Sequence, residues 1–228
     1  MKGDNIMKNG FVLAIDGPAG AGKSTIAKLA AEKLGFAYID TGAMYRAVTW
    51  KLLQIGKDFS PELAGKLANE INISFRPENA INRVFVDGTE VTDAIRTAAV
   101  TGLVSKVAAV PAVRTAMVDQ QRRMGDESGI VMDGRDIGTV VFPNAQCKIY
   151  LTATVEERAR RRGLELEAKG ETVDYKKLQE EIAARDKQDM ERDVSPLRQA
   201  DDAIYLDTSE MNIEQVTAKV LELVKAKL

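Results

Sequence analysis

The sequence predicts an α/β fold in which a parallel sheet is flanked by helices, and three observations support this prediction. Short apolar runs such as Phe11–Asp16 alternate with amphipathic stretches such as Gly22–Leu34. The first apolar run ends in a glycine-rich turn, which is typical of a buried parallel strand. The chain has 228 residues, 45% of them hydrophobic, which is enough for one such domain with small insertions.

The beginning of the chain alternates strands and helices. Strand Phe11–Asp16 leads into helix Gly22–Leu34, whose apolar residues recur at helical spacing and which Gly35 ends. A second strand, Phe36–Ile39, leads into helix Ala43–Leu53. This order of elements is typical of a doubly wound α/β sheet.

A β-rich segment interrupts the pattern between Ser60 and Thr97. Ser60 followed by Pro61 predicts the start of a short helix, because a hydroxyl cap and a first-turn proline both favour a helix N-terminus. Asp87-Gly88 predicts a hairpin turn. The strands predicted in this segment are Ile71–Phe75, Arg83–Val86 and Glu90–Thr92. The segment is therefore predicted to form a small antiparallel insertion.

The rest of the chain returns to the first pattern. Two helices, Ala98–Val110 and Ala112–Met124, are predicted on either side of Pro111. Two buried strands, two long charged helices, a last strand and a closing amphipathic helix follow. These elements are Ile130–Asp133, Lys148–Leu151, Glu156–Gly170, Tyr175–Arg192, Ala203–Leu206 and Ile213–Lys227.

The composition excludes several kinds of chemistry. The chain contains no histidine, which excludes imidazole acid–base catalysis and His-ligated metal sites. Its formal net charge of −2 gives no general attraction to nucleic acid polymers or anionic membranes. An anion site must therefore be built locally from Arg, Lys and backbone N–H groups.

Sequence features also bear on where the protein works. The single cysteine, Cys147, cannot form an intramolecular disulfide, which fits a reducing cytoplasm. Met1–Asn9 is too polar for a signal peptide, and Met7 is an alternative start. No apolar stretch approaches membrane-spanning length, and no exposed apolar stripe stands out. We expect a cytoplasmic monomer without a membrane partner.

A phosphate-binding motif lies between the first strand and the first helix, since residues 17–24 match G-x-x-x-x-G-K-[S/T]. Glycines let the backbone fold around a phosphate, and the helix N-terminus adds positive potential. We expect Lys23 to bridge the β- and γ-phosphates of ATP, Ser24 to hold Mg²⁺ and Thr25 to lie near the α-phosphate. The nucleotide-binding residues predicted from this P-loop are Gly17, Pro18, Ala19, Gly20, Ala21, Gly22, Lys23, Ser24 and Thr25.

Two further loops follow predicted strands and should reach the same edge of the sheet, where open α/β sheets bind ligands. The loop after the second strand carries Arg46, which can bind a phosphate with two parallel hydrogen bonds. In the loop after the third strand of the sheet, Asp133 is placed like a Walker B aspartate that steadies Mg²⁺ or its water. Arg135 and Asp136 follow it and are predicted to face the acceptor, the molecule that receives the phosphoryl group.

The charged helices near the C-terminus suggest a lid. Arg185, Asp189 and Arg192 stand at i, i+4 and i+7, within about 60° of one another on a helix. A second group of arginines on one helical face consists of Arg158, Arg161 and Arg162. Phosphoryl transfer needs positive charge around the γ-phosphate and exclusion of water, and a mobile arginine helix supplies both. The alternative is a solvated face stabilised by i,i+4 pairs.

A P-loop alone leaves other functions open. A regulatory GTPase, which is a nucleotide-dependent switch, reads guanine with an N-K-x-D segment, and the dipeptide Asn-Lys is absent from the chain. Large motor and transporter ATPases need a longer chain. Small-molecule kinases remain, among them uridylate and shikimate kinases.

From about Phe11 to the C-terminal helix, the sequence resembles bacterial cytidylate kinases. The shared motifs are GPAGAGKST, DTGAMYR, VSKVAAVPAVR, DGRDIGTVVFP, ERARRR and RDKQDMER, together with the β-rich insertion ending at AIRT. The resemblance implies direct transfer of a phosphoryl group from ATP to CMP or dCMP, with Mg²⁺, in pyrimidine nucleotide metabolism. It also implies a division into core (1–59, 98–155 and 193–228), nucleoside-monophosphate-binding insertion (60–97) and lid with its following helix (156–192).

The resemblance also implies individual roles in substrate binding. The residues expected to recognise the cytosine base are Ser105, Arg114 and Asp136. The expected ribose contacts are Arg185 and Asp189, and the expected clamps on the acceptor phosphate are Arg46, Arg135 and Arg192. Thr41 and Tyr45 are similar to residues that line the acceptor pocket, and Arg161 is similar to a lid arginine near the donor nucleotide. The residues expected to act in catalysis are Lys23, Arg46, Asp133, Arg135 and Arg192.

Overall fold

The structure is a computed structural model that describes residues 10–78, 81–125 and 129–228. Two compact units make up the chain: unit 1 comprises Met1–Tyr38 and Glu127–Leu228, and unit 2 comprises Ile39–Asp126. The alternative start at Met7 lies outside the described residues. The division into core, insertion and lid concerns how segments act on substrates, and it stays a prediction.

The described elements follow the predicted order closely. The strands are β1 Val12–Asp16, β2 Ala37–Asp40, β3 Ile73–Glu78, β4 Ile81–Val86, β5 Thr89–Glu90, β6 Ile130–Gly134, β7 Cys147–Thr152 and β8 Ile204–Asp207. The helices are α1 Lys23–Leu34, α2 Thr41–Ile55, α3 Pro61–Glu70, α4 Ala98–Ala108, α5 Pro111–Met124, α6 Val155–Glu167, α7 Tyr175–Glu191 and α8 Ile213–Lys225. None of the described helices is both long and apolar enough to cross a membrane.

A five-stranded sheet forms the centre of unit 1, with the strand order β2-β6-β1-β7-β8. Strand β1 pairs in parallel with β6 on one side and with β7 on the other, and β7 pairs in parallel with β8. Helices α1 and α8 pack beside it around a buried apolar cluster that includes Leu13, Ile26 and Val220. The predicted α/β class with a parallel sheet flanked by helices is therefore confirmed.

Parallel pairing brings the carboxyl ends of β1, β6 and β7 to one edge of the sheet. In the register of the pairs, Asp16 lies beside Gly134 on one side and beside Tyr150 on the other. The P-loop after β1 and the segment that begins at Gly134 consequently leave the sheet as neighbours. The strand register therefore determines which segments of the chain lie next to one another at this edge of the sheet.

The described part of unit 2 contains helices α2 to α5 and an antiparallel sheet with the order β3-β4-β5. Helix α3 packs on α5, where a Cβ added at Gly65 would lie 2.7 Å from the Ala112 Cβ. The antiparallel pairing predicted for this β-rich segment is confirmed. Its last strand, β5, is shorter than predicted and ends at Glu90.

Two local features differ from the prediction. Residues Ile137–Val141 form a π-helical turn, which no pattern in the sequence indicated. Helix α7 ends at Glu191, and Arg192 has an extended backbone. Arg192 is therefore the C-cap of α7, three residues after Asp189, and the turn that follows the helix binds its guanidinium.

Candidate active site

The P-loop is held against the end of β7 by its first glycine. A Cβ added at Gly17 would lie 1.9 Å from the Leu151 carbonyl oxygen, and the φ angle of Gly17 is +151°. Gly20 and Gly22 also have positive φ angles, of +74° and +83°. Any side chain at residue 17 would force β1 and β7 apart, so this position requires glycine.

Lys23 begins α1 and has a buried side chain. Its Nζ donates a hydrogen bond to the Pro18 carbonyl oxygen at 2.7 Å. Burial, and next the positive charge of Arg135, lower the pKa of Lys23 to about 7, while Asp133 is the first of several carboxylates that oppose this shift. The loop therefore holds a poorly solvated ammonium group, which an anion would stabilise.

Asp133, the fourth residue of β6, joins the P-loop to β2. Its Oδ2 accepts a hydrogen bond from the Ser24 hydroxyl and its Oδ1 accepts one from the Tyr38 hydroxyl, both at 2.9 Å. The carboxylate is almost fully buried, so its orientation is fixed. Tyr38 was not recognised as a site residue in the sequence, since an aromatic residue in a short strand usually only packs.

Arg135 follows β6 and forms an ion pair with α7. Its Nε donates a hydrogen bond to the Asp189 Oδ2 at 2.7 Å. Burial alone would raise the pKa of Asp189, but Arg135 holds it below the usual value. The pKa of Arg135 is raised, because Asp189 and further carboxylates outweigh the opposing effect of burial.

Arg192, just beyond α7, lies between two carboxylates. Its Nη1 is 3.8 Å from the Asp189 Oδ1, and its Nη2 is 3.8 Å from the Asp136 Oδ1. Its Nε donates a hydrogen bond to the Ser195 carbonyl oxygen at 2.7 Å. Ser195 has a φ angle of +52°, so a left-handed turn directs this oxygen towards the guanidinium.

Unit 1 thus joins most of its charged predicted site residues in one network of alternating charge. The positive charge of Arg185 also contributes to the lowered pKa of Asp189. The residues of this network are Lys23, Asp133, Arg135, Asp136, Arg185, Asp189 and Arg192. Such a network at the end of parallel strands can bind phosphate groups, because its cations are already ordered and partly desolvated.

Asp16 supports this network, although none of the sequence motifs includes it. Its two carboxylate oxygens accept hydrogen bonds from the backbone N–H groups of Ile137 (2.8 Å) and Gly138 (2.7 Å). The π-helical turn after Asp136 is therefore anchored to the end of β1. A carboxylate at the end of an otherwise apolar strand is the signal that could have identified Asp16.

The Arg161 guanidinium is held by its own helix, α6, and by the segment after β8. Its Nε donates to the Glu157 Oε1 at 2.8 Å, and its Nη2 donates to the Thr208 carbonyl oxygen at 2.6 Å. A Cβ added at Gly22 would lie 4.0 Å from the Arg161 Nη1. Arg161 therefore lies next to Gly22, the P-loop residue that caps the beginning of α1. Thr25 is exposed on the first turn of α1.

Unit 2 holds the other predicted acceptor residues. Arg46 of α2 donates hydrogen bonds from Nη1 to the Thr101 hydroxyl (2.9 Å) and to the Ile95 carbonyl oxygen (3.3 Å). Thr41, the first residue of α2, is buried. Asp40 caps this helix by accepting a hydrogen bond from the Ala43 N–H at 2.9 Å.

Tyr45 and Arg114 form a buried pair within unit 2. The guanidinium carbon of Arg114 lies 5.1 Å from the centre of the Tyr45 ring, which is within the range of a cation–π interaction. Arg114 Nη1 also donates to the Ala108 carbonyl oxygen at 3.1 Å. Ser105 is half-buried on α4. The ring and the backbone contact fix the plane of the Arg114 guanidinium.

The oxygen ligands near the P-loop fit Mg²⁺. Among the described residues, no group of three or more His, Cys, Asp or Glu side chains could hold a metal ion by itself. Ser24 and Asp133 nevertheless present a hydroxyl and a carboxylate that are hydrogen-bonded to each other. Mg²⁺ typically uses one or two protein oxygens together with substrate phosphates and water, so this pair suits a metal that arrives with a nucleotide.

Comparison with known proteins identifies the family. The cytidylate kinase family profile matches residues 13–226. The chain belongs to the cytidylate kinase family. A cytidylate kinase from Exiguobacterium sibiricum is 57% identical over 95% of this chain and 97% of its own length. One from Geobacillus thermodenitrificans is 51% identical over 97% of this chain and 100% of its own.

A distant solved structure agrees with the fold. An uncharacterized protein from Eubacterium ventriosum superposes with a TM-score of 0.54 at 12% identity, over 95% of this chain and 99% of that one. At this identity the likeness concerns the fold alone. The cytidylate kinase profile, in contrast, spans every predicted site residue from Gly17 to Arg192.

The contacts of Asp16 lead to a prediction about pH and stability. Burial raises the pKa of Asp16 from 3.8 to about 6, although its two backbone hydrogen bonds oppose this. The folded protein therefore binds the proton more tightly than the unfolded chain, and the stability that Asp16 contributes is fully present below about pH 4 and is lost as the pH rises through about 6. The stability advantage of the wild type over Asp16→Asn should shrink from pH 4 to pH 7.

Urea unfolding of both proteins across this pH range measures the difference directly. The two proteins share every other titrating group, so the effects of those groups on the difference in unfolding free energy largely cancel. An advantage that grows with pH would mean that the hydrogen bonds to Ile137 and Gly138 outweigh burial, and would contradict the prediction.

Proposed function

We propose that this chain transfers the γ-phosphoryl group of ATP to CMP or dCMP, releasing ADP and CDP or dCDP. Membership of the cytidylate kinase family supports the reaction class, and relatives of similar length carry that name. The observation that carries the proposal is the buried P-loop lysine, Lys23, in a loop whose next residue, Ser24, is hydrogen-bonded to Asp133. An ordered set of cations around a P-loop is what phosphoryl transfer requires.

The donor side follows from the P-loop. Lys23 would neutralise charge on the β- and γ-phosphates, which would in turn stabilise its buried ammonium group. Ser24 and Asp133 would hold Mg²⁺ directly or through water. When bound, this ion neutralises negative charge on the phosphate oxygens. The P-loop glycines leave room for the backbone to approach the phosphates, and Thr25 and Arg161 complete the proposed donor contacts.

The acceptor residues are proposed from the family resemblance. Arg46, Arg135 and Arg192 would bind the acceptor phosphate, and Arg185 and Asp189 would contact the ribose. Ser105, Arg114 and Asp136 would contact the cytosine base, while Thr41 and Tyr45 would line the acceptor pocket. Ion pairs such as Arg135–Asp189 keep the cations ordered before substrate arrives, which reduces the entropy lost on binding.

The proposed transfer is direct. An oxygen of the CMP phosphate attacks the γ-phosphorus of ATP, the bond from that phosphorus to the β-phosphate oxygen breaks, and ADP leaves with the electron pair. No covalent enzyme intermediate and no strong base are needed, because positioning and neutralisation of charge supply the rate. We further propose that the protein works as a monomer in a reducing cytoplasm, where the buried Cys147 stays a thiol.

The direct test is ADP release from ATP and Mg²⁺ with CMP, dCMP, UMP, AMP or shikimate as acceptor. We expect CMP and dCMP to stimulate ADP release most strongly, with CDP or dCDP formed in equal amount. A nucleotide-dependent switch would instead hydrolyse ATP slowly whichever compound is added. Faster release with UMP or shikimate than with CMP would contradict the proposed acceptor.

Base selection leads to a second prediction. If Asp136 accepts a hydrogen bond from the cytosine amino group, Asp136→Asn should reduce the preference for CMP over UMP by about 1–3 kcal/mol, because an amide N–H₂ can then face that donor. The measurement is the CMP/UMP ratio of kcat/KM. Any effect that the substitution has through Arg192 cancels in this ratio, because CMP and UMP carry the same ribose phosphate.

Asp201→Asn provides the matched control. It makes the same chemical change at an exposed position outside the proposed site and should leave the ratio at its wild-type value. A wild-type ratio in Asp136→Asn as well would remove Asp136 from the cytosine contacts.

A further inference from the structure

Two buried side chains from α6 and α7 meet at the backbone of one P-loop residue, Ala19. Asp186 of α7 accepts a hydrogen bond from the Ala19 N–H at 3.1 Å. Arg158 of α6 donates from Nη1 to the Ala19 carbonyl oxygen at 2.8 Å. Both polar backbone groups of Ala19 are therefore bound by side chains that lie more than 130 residues away in the sequence.

These two side chains also bind each other. Arg158 Nη1 lies 2.6 Å from Asp186 Oδ2, and only 4% of Arg158 and 7% of Asp186 are exposed. Arg158 Nε donates to the Ala153 carbonyl oxygen at 2.9 Å, which fixes the plane of the guanidinium. An ion pair this well buried is costly to desolvate, and replacing it with apolar residues is often neutral for stability. Stability alone is therefore a weak account of it.

The location of the pair suggests a role in nucleotide binding. The P-loop contains Gly17, Gly20 and Gly22 and offers few side chains that could order it. A Cβ added at Gly20 would lie 3.5 Å from the Arg158 Cβ, so the loop also packs against α6. A loop fixed before ATP arrives binds it with a smaller loss of conformational entropy.

We propose that Arg158 and Asp186 are positioning residues that clamp Ala19 and hold the P-loop in its ATP-binding conformation, so that ATP affinity depends on the packing of α6 against α7. This inference rests on the proposed function for its ligand, ATP. The Ala19 N–H is directed at Asp186, so the clamp acts through a hydrogen bond to the loop backbone. The helix packing involved is close, since a Cβ added at Gly163 would lie 2.3 Å from the Tyr175 ring.

The sharpest variant is the double substitution Arg158→Met/Asp186→Leu. It removes both contacts with Ala19 while filling the space with apolar atoms. The protein should still fold, with a melting temperature lowered because the backbone groups of Ala19 lose their partners. We expect the Kd for ATP, measured by calorimetry without any acceptor, to rise about tenfold, as expected when a preorganised loop becomes flexible. Hydrogen exchange in the P-loop peptide should become faster, and the KM for CMP should change much less than the Kd for ATP.

Two further variants keep the test decisive if the double variant does not fold. Asp186→Asn retains an oxygen that can accept from the Ala19 N–H and loses the charge, so it should raise the Kd for ATP by a smaller factor. Val220→Ala removes methyl groups from the buried core of unit 1 without removing either hydrogen bond to Ala19, and serves as the destabilised control. Its Kd for ATP should stay at the wild-type value at a temperature where it is folded.

The outcomes separate this inference from the proposed function. Wild-type ATP affinity and wild-type P-loop exchange in the folded double variant would overturn the clamp. An equal loss of ATP affinity in Val220→Ala would overturn it too, because general destabilisation would then explain the effect. Failure of the wild type to phosphorylate CMP would contradict the proposed acceptor but would leave the ATP-binding comparison valid.

Discussion

The buried ammonium group of Lys23 is the constraint around which the rest of unit 1 is arranged. An isolated cation at this depth would be very unfavourable, and burial together with Arg135 lowers its pKa to about 7. Asp133, Asp16 and Asp189 oppose that shift, each from a different element. The network of alternating charge thus offsets the cost of burying a P-loop lysine.

The parallel sheet makes this arrangement feasible. Strands β1 and β6 end side by side, so Asp16 on one strand and Asp133 and Arg135 on the other reach the same edge of the sheet. The first P-loop glycine fits against the Leu151 carbonyl oxygen of β7, which fixes the loop on the other side of β1. A side chain at Gly17 or a change of strand register would therefore alter several site residues at once.

The sequence predicted those features whose signals are local. The strand, glycine-rich turn and helix around residues 17–24 follow from periodicity and from one motif, and the position of Asp133 follows from its place at the end of a strand. The partners of Asp16, the hydroxyl of Tyr38 and the Arg158–Asp186 pair could not be predicted, because each contact joins residues far apart in the chain. Periodicity also extended α7 by one residue, although Arg192 is held by the turn at Ser195.

The measurement that tests this account most directly is the turnover of Lys23→Met with ATP and CMP, compared with its thermal unfolding. A methionine fills nearly the same space without the charge, so the protein should remain folded. We expect kcat to fall at least about a hundredfold, since the ammonium group acts on charge that develops during transfer. Near-normal turnover in a folded Lys23→Met protein would contradict the central role of the buried lysine.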